Sequence, residues 1–116
     1  MAEQVFTKIV LSGGTSGKDI KVGATATPGT LIHTAHATAL DEINLDVCNT
    51  DSSARLLTIE WGGVTAPDNT MEISIPADSG WIPIVVGHLL TGGLVVRAFA
   101  AAGNVLLING AVNRIT

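Results

Sequence analysis

Charged and aromatic residues are scarce in this 116-residue chain. Asp, Glu, Lys and Arg make up only 14% of it, well below the roughly 25% typical of soluble domains. Aromatic residues reach 3%, with two Phe, two Trp and no Tyr, although hydrophobic residues as a whole reach 47%. A small domain with so much aliphatic content and so little charge is expected to present apolar surface to a partner or to further copies of itself.

Basic residues are few and dispersed. The six Lys and Arg residues form no run, and the chain carries a net charge of −4. Recognition of nucleic acid requires a basic stripe or an aromatic stacking platform, and the sequence has neither. The composition therefore argues against a nucleic-acid partner.

Cysteine and membrane-spanning signals are also lacking. Cys48 is the only cysteine, which excludes an internal disulfide and a zinc cluster built on thiolates. The longest apolar stretch, residues 92–112, is interrupted by Arg97 and by two Gly/Asn pairs into pieces shorter than the ~20 residues that a spanning helix needs. The N-terminal residues show no secretion signal, so we expect no membrane association.

Helix signals are nearly absent, whereas Thr, Val, Ile and Gly dominate and turn residues recur about every ten positions. This pattern predicts an all-β fold: one antiparallel β-sandwich over residues 1–116, with about eight or nine short strands and essentially no helix. Both an immunoglobulin-like and a jelly-roll-like strand order fit this number of strands.

Alternation along the chain indicates which side chains face the core. EINLDVCN and MEISI alternate apolar and polar residues, as half-buried strands do. By the same rule, RLLTIEW places three side chains inward (Leu57, Ile59, Trp61) and three outward (Leu56, Thr58, Glu60).

Three later segments are apolar throughout: 84–86, 94–96 and 105–108. Such strands either lie centrally or have their outer face covered by another subunit, and we favour the subunit. Pro83, which precedes the first of them, predicts an edge strand or a bulge.

The stretch LSGGTSGKDI looks like a phosphate-binding loop but fails three requirements of one. Only three residues separate Gly13 from Gly17, Asp19 follows Lys18 where a hydroxyl should be, and the next segment has strand character. The stretch is predicted instead to be the exposed Gly/Ser tip of a β-hairpin within N-terminal residues 1–26. A Lys18→Ala variant is then expected to keep its fold and to have no nucleotide affinity to lose.

No constellation of side chains points to catalysis. His33 and His36 would face opposite sides of a strand, so they cannot share one metal ion without a bend between them, and an ordinary loop or interface role is favoured. The acidic residues lie mostly in turns, where carboxylates usually bond the local backbone. Trp61 and Trp81 could stack on a sugar, although packing in a core or an interface is favoured. The sequence predicts no enzyme, no metal and no cofactor.

Residues 27–116 resemble a family of small bacteriophage virion proteins of the capsid decoration, or cement, type. The resemblance is carried by TPGTLIHTA, LDEINLDVCNTDSSARLLTIEWGG, MEISIPADSG and GLVVRAFAAAGNVLLINGAVNRIT. It implies a β-sandwich, made in the host cytoplasm, that binds the major capsid protein on the outer surface of an icosahedral head, often as a homotrimer. The family has no catalytic residues to carry over.

Five residues are candidates for the interface that this role requires. Trp81, Leu94 and Val96 would supply apolar contact, and Arg97 and Arg114 would form charged pairs across the interface. Two other functions remain open: another virion part (a tail, neck or fibre-base subunit), and a carbohydrate-binding or adhesin-like β-sandwich.

Overall fold

The computed structural model describes residues 4–116, and within them it contains nine strands and no helix. The strands are β1 (Phe6–Ile9), β2 (Ile20–Lys21), β3 (Thr30–Thr34), β4 (Leu40–Asn49), β5 (Arg55–Trp61), β6 (Thr70–Ile75), β7 (Ser79–Leu90), β8 (Val95–Ala100) and β9 (Leu106–Ile115). The predicted all-β class and number of strands are confirmed.

The strands form two antiparallel sheets. The five-stranded sheet has the order β1-β9-β4-β7, with β2 also paired to β9, and the four-stranded sheet has the order β3-β8-β5-β6. The chain thus forms a long double ribbon, in which β1 and β2 pair with β9, β3 with β8, β4 with β7 and β5 with β6. A double ribbon wrapped into two layers is a jelly roll, so the structure selects this alternative over the immunoglobulin-like order.

The core lies between the two sheets and follows the predicted alternation. On β4, Ile43, Leu45 and Val47 are fully buried, and on β5 Leu57 and Ile59 face them. Aliphatic side chains fill almost the whole layer, which is how a chain with so few aromatic residues builds a core.

Two of the three uniformly apolar segments lie in central strands. β8 runs between β3 and β5, and β9 runs between β1 and β4. The first segment lies on β7, which is an edge strand of the five-stranded sheet. The edge position predicted from Pro83 is therefore confirmed.

Strand β7 is also bulged. Its register with β4 shifts three times, and one of the shifts lies beside Pro83. Each bulge inserts an extra residue and changes which side chains face the core. A strand interrupted in this way does not need strict alternation, and this explains the continuous apolar run WIPIVV.

The predicted N-terminal hairpin is wrong. β1 and β2 do not pair with each other, because each pairs with a different part of β9: Ile9 lies opposite Val112, and Ile20 lies opposite Ile108. Residues 10–19 between them leave the five-stranded sheet and reach β3 of the other sheet, where the N–H of Gly13 donates to the carbonyl of Ile32 (2.9 Å).

This excursion, residues 10–19, closes one side of the sandwich. Leu11 is buried at the start of the loop, and a Cβ on Gly13 would collide with the carbonyl oxygens of Leu31 and Ile32. The Gly/Ser-rich sequence is thus partly explained by close backbone approach. The segment after Lys18 is the short strand β2, as predicted, and Asp19 accepts a hydrogen bond from the amide of Asn109 (2.8 Å).

Two residues expected on the outer face of β5 are buried, contrary to their expected exposure. Thr58 and Glu60 lie on the face opposite Leu57, but residues 27–29 cover Glu60. Its carboxylate accepts hydrogen bonds from the hydroxyl of Thr27 (2.5 Å) and from the N–H of Gly29 (2.6 Å). Alternation predicts on which face of a strand a side chain lies. It does not predict whether a loop from elsewhere in the chain covers that face, because that depends on long-range packing.

Candidate functional site

The side of the sandwich opposite the 10–19 excursion is open. There the edge strands β6 and β7 flank a groove of about 310 Å³. We call it the β6–β7 groove; it is lined by Ile59, Trp61, Met71, Ile84, Val85 and His88.

The lining of the β6–β7 groove is chemically simple. It is aliphatic except for Met71, Trp61 and His88, whose ring meets the Trp61 ring edge to face, with 6.2 Å between the ring centroids. His88 is its one titratable side chain. A concave apolar surface with a single polar group suits the binding of an apolar side chain.

Strand β7 presents further apolar surface beside the groove. Trp81, Val86 and Leu89 are 59%, 71% and 52% exposed, and we call them the β7 apolar patch. From Ser79 to Leu90 the strand contains no Asp, Glu, Lys or Arg. Edge strands of soluble proteins are commonly protected by charge, so a long uncharged one marks a contact surface.

Of the five predicted interface residues, the structure brings two together. Leu94, which is largely exposed, and Arg97 line a shallow depression of about 240 Å³ with Gly62, Gly63 and Val64. The Arg97 guanidinium donates to the carbonyl of Gly29 (3.3 Å). Trp81 lies apart from them, on β7 of the other sheet.

Val96 does not belong to any surface of the chain. It is fully buried in the core, so its assignment to an interface is corrected. On β8 the buried positions alternate with half-buried ones, and Val96, Ala98 and Ala100 point into the core. The apolar run LVV gave no local signal of which residue faces inward.

Arg114 finds its charged partner inside the chain, although a pair across an interface was expected. Its guanidinium donates through Nε to Oδ1 of Asp41 (2.7 Å) and through Nη2 to Oδ2 (2.9 Å). This bidentate geometry joins β9 to β4, where the two residues lie directly opposite. Asp41 is fully buried, so the pair is shielded from water on one side.

His33 completes the network around Asp41. Its Nε2 lies 2.8 Å from Oδ2 of Asp41, and its Nδ1 accepts the N–H of Ser12 (3.1 Å). Because Nδ1 is an acceptor, the ring is neutral with its proton on Nε2, and it donates that proton to Asp41. The network thereby ties the 10–19 excursion to both sheets.

The pKa of Asp41 reflects two opposed effects. Burial raises it, but the hydrogen bonds from Arg114 and His33 and the charge of Arg114 outweigh burial and lower the pKa from 3.8 to about 2. The carboxylate is therefore ionised throughout the physiological range. Because Asp41 is fully buried and bonded to residues on β9 and β3, it holds strands together.

The second histidine has a local role. Nδ1 of His36 accepts the N–H groups of Thr38 (3.1 Å) and Ala39 (2.9 Å), which closes the turn before β4. The loop role favoured for His36 is confirmed. The loop or interface role favoured for His33 is corrected, because His33 lies on β3 and is fully buried.

Residues 4–116 contain no group of three His, Cys, Asp or Glu side chains placed to hold a metal ion. In this part of the chain, no helix is long and apolar enough to cross a membrane. No protein-family model and no curated protein matches the chain. The fold and the exposed surfaces of the protein are therefore the basis for its proposed function.

Proposed function

We propose that this protein is a non-enzymatic structural protein of a bacteriophage virion, which binds the major capsid protein on the outer surface of the assembled head. The observation that carries the proposal is the β7 apolar patch, an uncharged edge strand with three large exposed side chains. The sequence resemblance over residues 27–116 supports it. The jelly roll supports it as a fold-level analogy, because viral capsid domains share this fold.

The stabilising effect would follow from mass action. A protein that binds the assembled shell and not the free subunits shifts the equilibrium toward the shell, by an amount that grows with its concentration relative to Kd. Copies that are themselves joined bind many symmetric sites together, so each contact can be weak. A groove and a patch of this modest size are sufficient under those conditions.

Oligomerisation is part of the proposal, with the trimer taken from the resemblance. The depression lined by Leu94 and Arg97 lies at the four-stranded sheet, whereas the β7 apolar patch belongs to the five-stranded sheet. Surfaces on two different sheets suit a protein that contacts its own copies with one and the capsid with the other.

The test is to image virions of the phage that encodes this chain and to count its copies. We expect density on the outside of the head, at many symmetric positions, and a trimeric mass in solution. Density confined to a ring at the neck or the tail would instead assign the protein to a tail, neck or fibre-base part.

A carbohydrate-binding function is the second candidate, and the exposure of Trp81 favours it. An exposed indole on an edge strand can stack on a sugar face, and lectin domains also use the jelly roll. This function predicts glycan binding that Trp81→Ala abolishes without loss of the fold. If Trp81→Ala weakens head binding and the wild type binds no glycan, the carbohydrate function is rejected.

A further inference from the structure

The four sheet edges differ in how they are protected from strand addition. Strand β1 is only four residues long, and β3 is bonded by the N–H of Gly13. Strand β7 has Pro83 and three register shifts. Short length, cover, proline and bulges are all ways in which proteins block an edge.

Strand β6 has none of these four protections, and the one charged side chain that it carries is Glu72. The strand is six residues long and lacks proline, and its register with β5 runs without a shift from Arg55 opposite Ile75 to Glu60 opposite Thr70. On its other side, no residue in 4–116 forms a hydrogen bond with the backbone of residues 71–74. A regular edge with a free row of N–H and C=O groups is a template for another strand.

The side chains of β6 would give such a strand a specific sequence pattern. Met71 and Ile73 face inward and are half-buried, whereas Glu72 and Ser74 are exposed on the outer face. Met71 also lines the β6–β7 groove. Because facing residues of paired strands point the same way, the residue opposite Met71 would project into the groove, and the one opposite Glu72 would face solvent.

We propose that β6 binds an extended segment of another protein by strand addition, with an apolar side chain in the β6–β7 groove and a Lys or Arg opposite Glu72. Main-chain hydrogen bonds would supply affinity, and the groove and Glu72 would supply specificity. A second copy of this chain is the poorer occupant, since antiparallel pairing of two β6 strands centred on Glu72 would place two carboxylates directly opposite each other on chains of net charge −4. The site does not depend on the proposed virion role.

The experiment uses a synthetic peptide, acetyl-Val-Thr-Val-Lys-Leu-Thr-amide, whose Leu would lie opposite Met71 and whose Lys opposite Glu72. It is titrated to millimolar concentration into isotopically labelled full-length protein, and the amide signals are followed by NMR. We expect chemical-shift changes and slowed amide hydrogen exchange at residues 71–74. The chemical shift of the Trp61 indole N–H is also expected to change. A peptide with Asp in place of Leu is expected not to bind.

Charge reversal tests the second element of specificity. Glu72→Lys is expected to weaken binding of the Lys peptide about three- to fivefold and to favour the same peptide with Glu in place of Lys. Asp68→Lys makes the same change of net charge on an exposed loop residue and is expected to leave both affinities unchanged.

Three results would overturn the inference. They are no binding at millimolar peptide, protection at strands other than β6, and protein that already pairs through β6 with its own copy in the absence of peptide. Each is distinct from a failure of the virion proposal, because the readout involves no capsid.

Discussion

Asp41 and Glu60 are both completely buried carboxylates, and each joins parts of the chain that are far apart in sequence. A buried charge is costly unless it is paired and hydrogen-bonded. Asp41 meets this condition through Arg114 and His33. Glu60 meets only the second part of it, because its two donors, the Thr27 hydroxyl and the Gly29 N–H, are uncharged. Among the described residues, no buried side-chain N or O atom lacks a hydrogen-bond partner, so every oxygen of the two carboxylates accepts at least one hydrogen bond.

Replacement of Asp41 by Asn should lower the free energy of unfolding at pH 7 by about 2 kcal/mol, which is the pKa shift expressed as energy. The folded pKa of about 2 lies below the ordinary 3.8, so the unfolded chain takes up the proton first as the pH falls. The contribution of Asp41 to the free energy of unfolding is therefore fully present above about pH 4 and is lost as the pH falls towards 2. Urea denaturation at a series of pH values measures it.

The control for Asp41 is Asp68→Asn, which changes an exposed loop carboxylate. It should shift stability by less than about 0.5 kcal/mol. If the Asp41→Asn protein loses stability between pH 4 and pH 2 as steeply as the wild type does, the acid dependence has another origin.

Glu60→Gln should destabilise the protein by about 1–3 kcal/mol, because two donors lose a charged acceptor in a buried site. Hydrogen exchange should accelerate at Gly29, whose N–H the carboxylate holds. The exposed residue of the same type, Glu72, supplies the control: Glu72→Gln should be neutral in both measurements. Equal effects of the two variants would show that burial of Glu60 is not what matters.

Among the secondary-structure elements, the alternation of apolar and polar residues predicted where the strands lie but not which strands pair with each other. EINLDVCN and MEISI became β4 and β6 with the expected faces buried, because the period of two is a local property. The hairpin expected in residues 1–26 failed because β1 and β2 pair with β9, at the other end of the chain. Pairing over that distance depends on the whole fold and leaves no mark in a local Gly/Ser pattern.

The close contact of the 10–19 excursion with β3 should make Gly13 intolerant of a side chain. We expect Gly13→Ala to lower the free energy of unfolding by about 1–3 kcal/mol, since a Cβ there would collide with the backbone of Leu31 and Ile32. Gly80→Ala is the matched control, because a Cβ at Gly80 meets no atom within 4 Å. The stability of the two variants is compared by thermal and urea denaturation. If Gly13→Ala and Gly80→Ala are equally stable, residues 10–19 do not pack closely against β3.

At the scale of the whole molecule, the two sides of the jelly roll are unequal. The excursion and Leu11 close the side formed by β1 and β3, whereas the side formed by β6 and β7 keeps an apolar groove and the β7 apolar patch. Composition predicted surplus apolar surface, and Trp81 was placed on it from sequence. Val86 and Leu89 were missed, although a 12-residue strand without Asp, Glu, Lys or Arg was a visible signal.

If the proposed virion function is correct, the asymmetry predicts which face of the protein contacts the head. A Val86→Ser, Leu89→Ser double variant should keep the stability of the wild type within about 0.5 kcal/mol, since both side chains are largely exposed. It should bind heads assembled without this protein at least about tenfold more weakly, because burial of one aliphatic side chain contributes about 1.5–3 kcal/mol. Co-sedimentation with such heads measures the affinity. Val10→Ser with Leu56→Ser removes a similar exposed apolar area elsewhere and should bind like the wild type; if it binds as weakly as the β7 variant, contact with the head is not specific to β7.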